Sequence, residues 1–267
     1  MSLKANAACN TPNRCSCVCV VTLNEGFAVV LRLCKWGTTS IAARGRWNQR
    51  GFWPLRNVLE PAAQNQPLRI GILLSGRGSN FLAIARNIRS GALPGVEIAM
   101  VVSNIEDAPG IAAARELGLP TAVHISKGRK RTEHDADMLA TLRAHDVDLV
   151  CLAGYMRLLS PEFIAAFPNR ILNIHPSLLP AFPGLDAQQQ AFEYGVQFAG
   201  CTVHFVDEHL DHGVIILQRS IPVLPTDDGH SLADRILAEE HQAYSEGIAR
   251  VASGEYQIAG RRYVKQA

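Results

Sequence analysis

From Leu68 onward the chain alternates short apolar runs with stretches of helical period. Leu68–Leu74, reading L-R-I-G-I-L-L, is almost wholly apolar, the pattern of a parallel strand covered on both faces. Val96–Val102, Thr121–Ile125, Val147–Ala153 and Arg170–Ile174 repeat it. Helices are predicted between them: Phe81–Arg89, closed by Gly91; Pro109–Leu117, stopped by Gly118; Thr132–His145, amphipathic with Thr132 as N-cap; and Pro161–Phe167, with proline at its first position. The β-α-β-α order predicts an α/β fold with a doubly wound, mostly parallel sheet. After a loop at Pro176–Asp186 comes a helix at Ala187–Tyr194, then strands at Gly200–Val206 and Val214–Val223. The stretch Asp207–Gly213 is too short for a helical crossover, so this pair is antiparallel and the sheet is mixed. A long helix over Ser231–Ala252 and a short hairpin within 256–264 close the chain.

Composition alters this picture at the N-terminus. Over Met1–Val58 the only acid is Glu25, against eight Lys or Arg, and the region holds Trp36, Trp47, Trp53, Cys9, Cys15, Cys17, Cys19 and Cys34. Residues 1–66 read as a poorly ordered basic extension and linker, and 67–267 as the catalytic domain. An acid-poor, Arg-bearing leader also fits an organelle transit peptide, although it lacks a clear amphipathic period. The alternating Cys15, Cys17 and Cys19 do not match C-x2-C zinc spacing. Cys151 and Cys201 read as buried core thiols. A net charge of +2 excludes the strongly basic field of a nucleic-acid binder, and no run of about 18 apolar residues suggests a transmembrane helix. The expected partners are therefore small molecules, with no nucleic acid and no membrane, the expected state a monomer or homodimer, and the expected location cytoplasmic.

The chemistry concentrates in three places. In I-L-N-I-H-P, Asn173 and His175 stand two apart, so both leave one face of a strand that Pro176 must end. Ligands of open α/β sheets bind at that carboxyl end. An amide and an imidazole there can hold a developing oxyanion and handle a proton. Asp211, in E-H-L-D-H-G beside the turn glycine Gly213, could orient the imidazole or a water. No serine or cysteine nucleophile accompanies them, which points to transfer onto an external nucleophile. Ser75-Gly76-Arg77-Gly78-Ser79-Asn80 lies between a strand and a helix start, where glycines and free N–H groups suit a phosphate. Met156, Leu158 and Leu159 could line a slot for a flat ring; the plainer reading is a core loop with Arg157 on the surface. His204, within V-H-F, reads as a core histidine, and His134, His209 and His212 as surface residues. A metal set from His204, His209, Asp211 and His212 fits no standard ligand spacing, so no metal is expected.

These segments together carry a family resemblance. I-L-L-S-G-R-G-S-N-F, L-A-G-Y-M-R-L-L-S-P, I-L-N-I-H-P-S-L-L-P-A-F-P-G-L, V-H-F-V-D-E-H-L-D-H-G and A-E-E-H-Q-A-Y occur in an order that resembles the bacterial-type glycinamide ribonucleotide formyltransferases, from Leu68 to the C-terminus. The resemblance implies a Rossmann-like formyltransferase fold. It also implies transfer of the formyl group of 10-formyltetrahydrofolate, a co-substrate, to the amine of glycinamide ribonucleotide in purine synthesis. The implied catalytic trio is Asn173, His175 and Asp211. The implied phosphate loop is Gly76, Arg77, Gly78, Ser79 and Asn80, with Glu240 on the ribose. The implied folate pocket is Arg131, Met156, Arg157, Leu158 and Leu159 with backbone near Val206–Asp211, and His204 is supporting. Family members often carry His where this chain has Asp186, and basic residues or His where it has Gln188 and Gln189. Two sister enzymes are alternatives on the same fold: methionyl-tRNA formyltransferase, which has a second C-terminal domain, and formyltetrahydrofolate hydrolase, which has a regulatory N-terminal one. A non-catalytic folate- or nucleotide-binding module is the alternative of another class, and the intact trio argues against it.

Overall fold

The computed structural model describes residues 17–23, 27–33 and 66–266. The chain divides into two compact units, Met1–Leu55 and Arg56–Ala267. In the first, β1 (Cys17–Leu23) pairs antiparallel with β2 (Phe27–Leu33), Cys17 opposite Leu33 and Leu23 opposite Phe27. The remaining expectations for residues 1–65 lie outside the described residues.

The second unit carries a nine-stranded mixed sheet in the order β10-β11-β9-β8-β7-β6-β3-β4-β5. Its strands are β3 (Leu68–Leu74), β4 (Val96–Ser103), β5 (Thr121–Val123), β6 (Leu149–Leu152), β7 (Ile171–His175), β8 (Phe198–Phe205), β9 (Ile215–Pro222), β10 (Tyr256–Ala259) and β11 (Arg262–Lys265). The helices are α1 (Ser79–Arg89), α2 (Pro109–Glu116), α3 (Arg131–Ala144), α4 (Pro161–Ala166), α5 (Ala187–Tyr194) and α6 (Gly229–Ala252). From β3 to β7 all neighbouring pairs are parallel, while β7–β8 and β8–β9 are antiparallel, the latter as the short connection between β8 and β9 requires. The chain winds outward from β3 to β5 and returns through β6, so β3 and β6 form the switch point where loops diverge.

Helices cover both faces, which is why β3 reads as a continuous apolar run: Ile70, Ile72, Leu73 and Leu74 are all fully buried. Each such side chain contributes about 1.5–3 kcal/mol on burial. Tyr244 on α6 is also fully buried, and its hydroxyl lies 2.9 Å from the Leu152 carbonyl and 3.0 Å from that of Leu172. That contact seats α6 against the carboxyl end of β6 and the start of β7.

Two local expectations need correction. Thr132 does not cap α3. The cap position is Lys130, in extended conformation with no side-chain cap bond, and Thr132 lies inside the first turn. His134 is not a surface residue but fully buried, because α3 turns a polar pair into the interior. Its Nε2 donates to the His124 carbonyl at 2.7 Å and its Nδ1 faces Asp135 Oδ1 at 3.2 Å; Asp135 Oδ2 accepts from the Ser160 amide at 2.6 Å. Paired in this way, two polar side chains survive burial. The pair ties the segments on either side of α3 together.

Candidate active site

β7 ends at His175, before Pro176, and the alternation of the strand puts Asn173 and His175 on one face. The antiparallel partner β8 sets His204 directly opposite Asn173. The two side chains meet, Asn173 Nδ2 lying 3.2 Å from His204 Nε2. Burial lowers the His204 pKa and keeps the ring neutral. Its Nδ1 then carries the hydrogen, donated to the Phe205 carbonyl at 2.8 Å, and Nε2 accepts from Asn173. That bond fixes which way the Asn173 amide points.

Asp211 reaches the same place from the loop between β8 and β9. Its Oδ2 is 3.5 Å from His175 Nδ1, its Oδ1 3.8 Å from His204 Nε2, and only 9% of the side chain is exposed. Asp211 has φ 48°, a left-handed conformation costing about 1–3 kcal/mol outside glycine. The Gly184 amide, donating to Asp211 Oδ2 at 2.8 Å, helps hold it there. Gly213, expected as a turn glycine, is needed for close approach: a Cβ would run into the Phe205 carbonyl oxygen. His175 Nε2 donates to the Phe182 carbonyl at 2.8 Å, so the loop 176–186 holds both His175 and Asp211. Asn173, His204, Asp211 and His175 thus form one chain of contacts from three separated segments. His204, expected as a core histidine, is buried and in direct contact with Asn173.

Across the switch point, Ser75 N donates to Gly154 O at 3.0 Å, joining the loop after β3 to the loop after β6. Ser75 Oγ donates to Asn104 Oδ1 at 2.6 Å and accepts from Met156 N at 2.8 Å. This linking role is not legible in the sequence, because the three groups lie on different connections. Gly78 stands at the helix N-terminus with φ 70°, and Arg77 is exposed. Asn80 turns away from solvent: its Nδ2 donates to Glu240 Oε2 at 2.7 Å, while its buried Oδ1 has no hydrogen-bond partner among the described residues. Glu240 is buried between α6 and α1, and burial raises its pKa to about 7, with the Asn80 bond opposing. The β3 and β7 axes are two strand spacings apart, ~10 Å, a span a small nucleotide can bridge.

The segment after β6 divides. Met156 and Leu158 are exposed at 73% and 59%, whereas Leu159 turns inward and is buried, so it does not line an open slot. Arg157 is not a free surface residue. Its guanidinium donates to the carbonyls of Ser126 at 3.0 Å and Arg129 at 3.1 Å, tying down the loop before α3. Arg131 is exposed as the first residue of α3. Burial pushes the Cys201 thiol up to about 12 and the Cys151 thiol higher still, so neither supplies a thiolate.

The formyl transferase family model matches residues 68–248, and the chain belongs to that family. A phosphoribosylglycinamide formyltransferase from Haemophilus influenzae is 41% identical over 177 residues, 66% of this chain and 83% of that protein. The structure of glycinamide ribonucleotide transformylase 1 from Symbiobacterium toebii superposes with a TM-score of 0.73 at 51% identity, covering 76% of this chain and 96% of that one. The trifunctional purine biosynthetic protein adenosine-3 of Drosophila melanogaster is 43% identical over 189 residues, 70% of this chain and only 14% of that protein's length.

Proposed function

We propose that residues 67–267 transfer the formyl group of 10-formyltetrahydrofolate to the amine of glycinamide ribonucleotide, a step of purine biosynthesis. The observation that carries this reading is the convergence of Asn173, His175, His204 and Asp211 at the end of β7. Attack of the amine on the formyl carbon places negative charge on the formyl oxygen. Asn173, oriented by His204, and His175 stabilise that charge; losing such a donor costs ~10²–10³ in turnover. Asp211 faces His175 and helps carry the proton from the attacking amine toward the leaving folate nitrogen. The backbone of Gly76–Ser79, at the start of α1, holds the phosphate. Glu240 and Asn80 shape the ribose end, and Met156, Leu158, Arg157 and Arg131 border the folate. The similarity to phosphoribosylglycinamide formyltransferases supports the choice of acceptor.

No helix among the described residues is long and apolar enough to cross a membrane. Cys151 and Cys201 are free thiols, which agrees with a reducing compartment such as the cytoplasm. The test is an assay of the purified chain with both substrates, with Asn173→Ala as control. Formylated ribonucleotide should appear and fall severely in the variant. Release of formate that ignores the ribonucleotide would instead mark a hydrolase.

A further inference from the structure

We infer that Asp207, His209 and His212 form a binding site for one divalent transition-metal ion of the zinc or nickel kind, on the loop that carries Asp211. This goes beyond the transfer reaction and stands independently of it; the ion has no step in that chemistry. The set His204, His209, Asp211 and His212 fits no standard ligand spacing. The fold replaces His204 and Asp211 with Asp207 and leaves Asp211 to His175. One ligand atom from each of Asp207, His209 and His212 lies within 4.8 Å of the other two. His212 Nδ1 is 2.9 Å from Asp207 Oδ2, and His209 Nδ1 is 3.9 Å from Asp207 Oδ1.

Around a tetrahedral ion with bonds of ~2.0–2.1 Å, ligand atoms stand about 3.4 Å apart. The His212–Asp207 contact must therefore open by about half an ångström, and the widest of the three separations, within 4.8 Å, must close by at most about 1.4 Å. The side chains can make that adjustment, being 76% (His209), 54% (His212) and 39% (Asp207) exposed. Their exposure also leaves the fourth position to water. Two imidazoles and one carboxylate select a borderline ion over magnesium or calcium, which take oxygen ligands. Arg261 opposes binding, since its Nη1 lies 3.4 Å from His212 Nε2. The ligands flank Asp211 on both sides in sequence, so a bound ion staples the loop that sets the Asp211 backbone.

The experiment is equilibrium dialysis of the full chain against Zn²⁺ in excess Mg²⁺, comparing wild type with His209→Ala, His212→Ala and Asp207→Asn, and with His230→Ala as control. His230 is another exposed histidine, 89% exposed on α6. All variants keep the same cysteines, so differences isolate this site. Bound zinc should fall by one ion per chain in the His209 and His212 variants, with affinity weakened more than the ~10–100-fold that loss of an outer-shell partner costs. It should be unchanged in His230→Ala. Hydrogen exchange across residues 206–213 should slow when zinc binds to wild type and not in the His212 variant. Equal zinc in wild type and both histidine variants, or equal loss in His230→Ala, overturns the proposal.

Discussion

Asn173 Nδ2 lies 3.2 Å from His204 Nε2, across the one antiparallel junction that joins the parallel half of the sheet to its last strands. Asn173 cannot be oriented by its own strand. The neighbouring strand supplies the acceptor, and burial keeps that acceptor neutral. Replacing His204 with Ala should cut kcat by about tenfold to a hundredfold while the substrate KM values move little. It should also cost about 1–3 kcal/mol, because the Phe205 carbonyl and the Asn173 amide lose a partner. Steady-state kinetics and thermal denaturation measure the two effects.

Asp211→Asn preserves the shape and the acceptor for the Gly184 amide, and removes only the charge facing His175. Turnover should fall by about 10²–10⁴, the range for a proton-handling group. The melting temperature should move by a few degrees at most. A variant with wild-type turnover would remove Asp211 from the reaction.

Gly213→Ala should damage the site from outside it. The new methyl meets the Phe205 carbonyl, so β8 and β9 must separate or the loop must shift. The variant should lose more than about 2 kcal/mol of stability and most of its activity, since over-packing against backbone costs about 1–3 kcal/mol and the shift also moves Asp211. Denaturant unfolding and an activity assay on the same sample test both halves.

Tyr244→Phe separates scaffold from chemistry. The phenol hydrogen bond to the Leu152 and Leu172 carbonyls disappears inside the core, at a cost of about 1–3 kcal/mol. Turnover at low temperature should remain near wild type, because Tyr244 touches none of the four site residues.

Glu240 provides a pH signature. Its pKa in the folded chain is about 7 against an ordinary 4.5, so the folded state holds a proton that the unfolded chain has released. Stability from this group is complete at low pH and is lost as pH rises from about 4.5 through about 7, a few kcal/mol in all. Glu240→Gln keeps an acceptor for Asn80 and has no charge to bury. Its stability should match wild type near pH 4.5 and exceed it at pH 8. Equal curves for the two proteins would show that Glu240 is not held protonated by burial.

Much of this was legible in the chain. The run Leu68–Leu74, the proline after His175 and the two-residue spacing of Asn173 and His175 fix local geometry whatever lies around them. Chain sterics and side-chain alternation act over a few residues, so these features needed no tertiary information. The parallel strands, the antiparallel connection after His204 and the long final helix follow from the same local rules.

Contacts between distant segments were decided only by the tertiary structure. Register across β7 and β8 put His204 against Asn173; packing of α3 buried His134 and Asp135; the seat of α6 turned Asn80 toward Glu240. Sequence spacing cannot reveal such pairs, because each depends on how far one element slides along another. That sliding is set by apolar burial summed over the whole core, to which the polar residues themselves contribute little. The chain by itself determined which chemical groups stand at the ends of its strands. The folded sheet decided which of them meet.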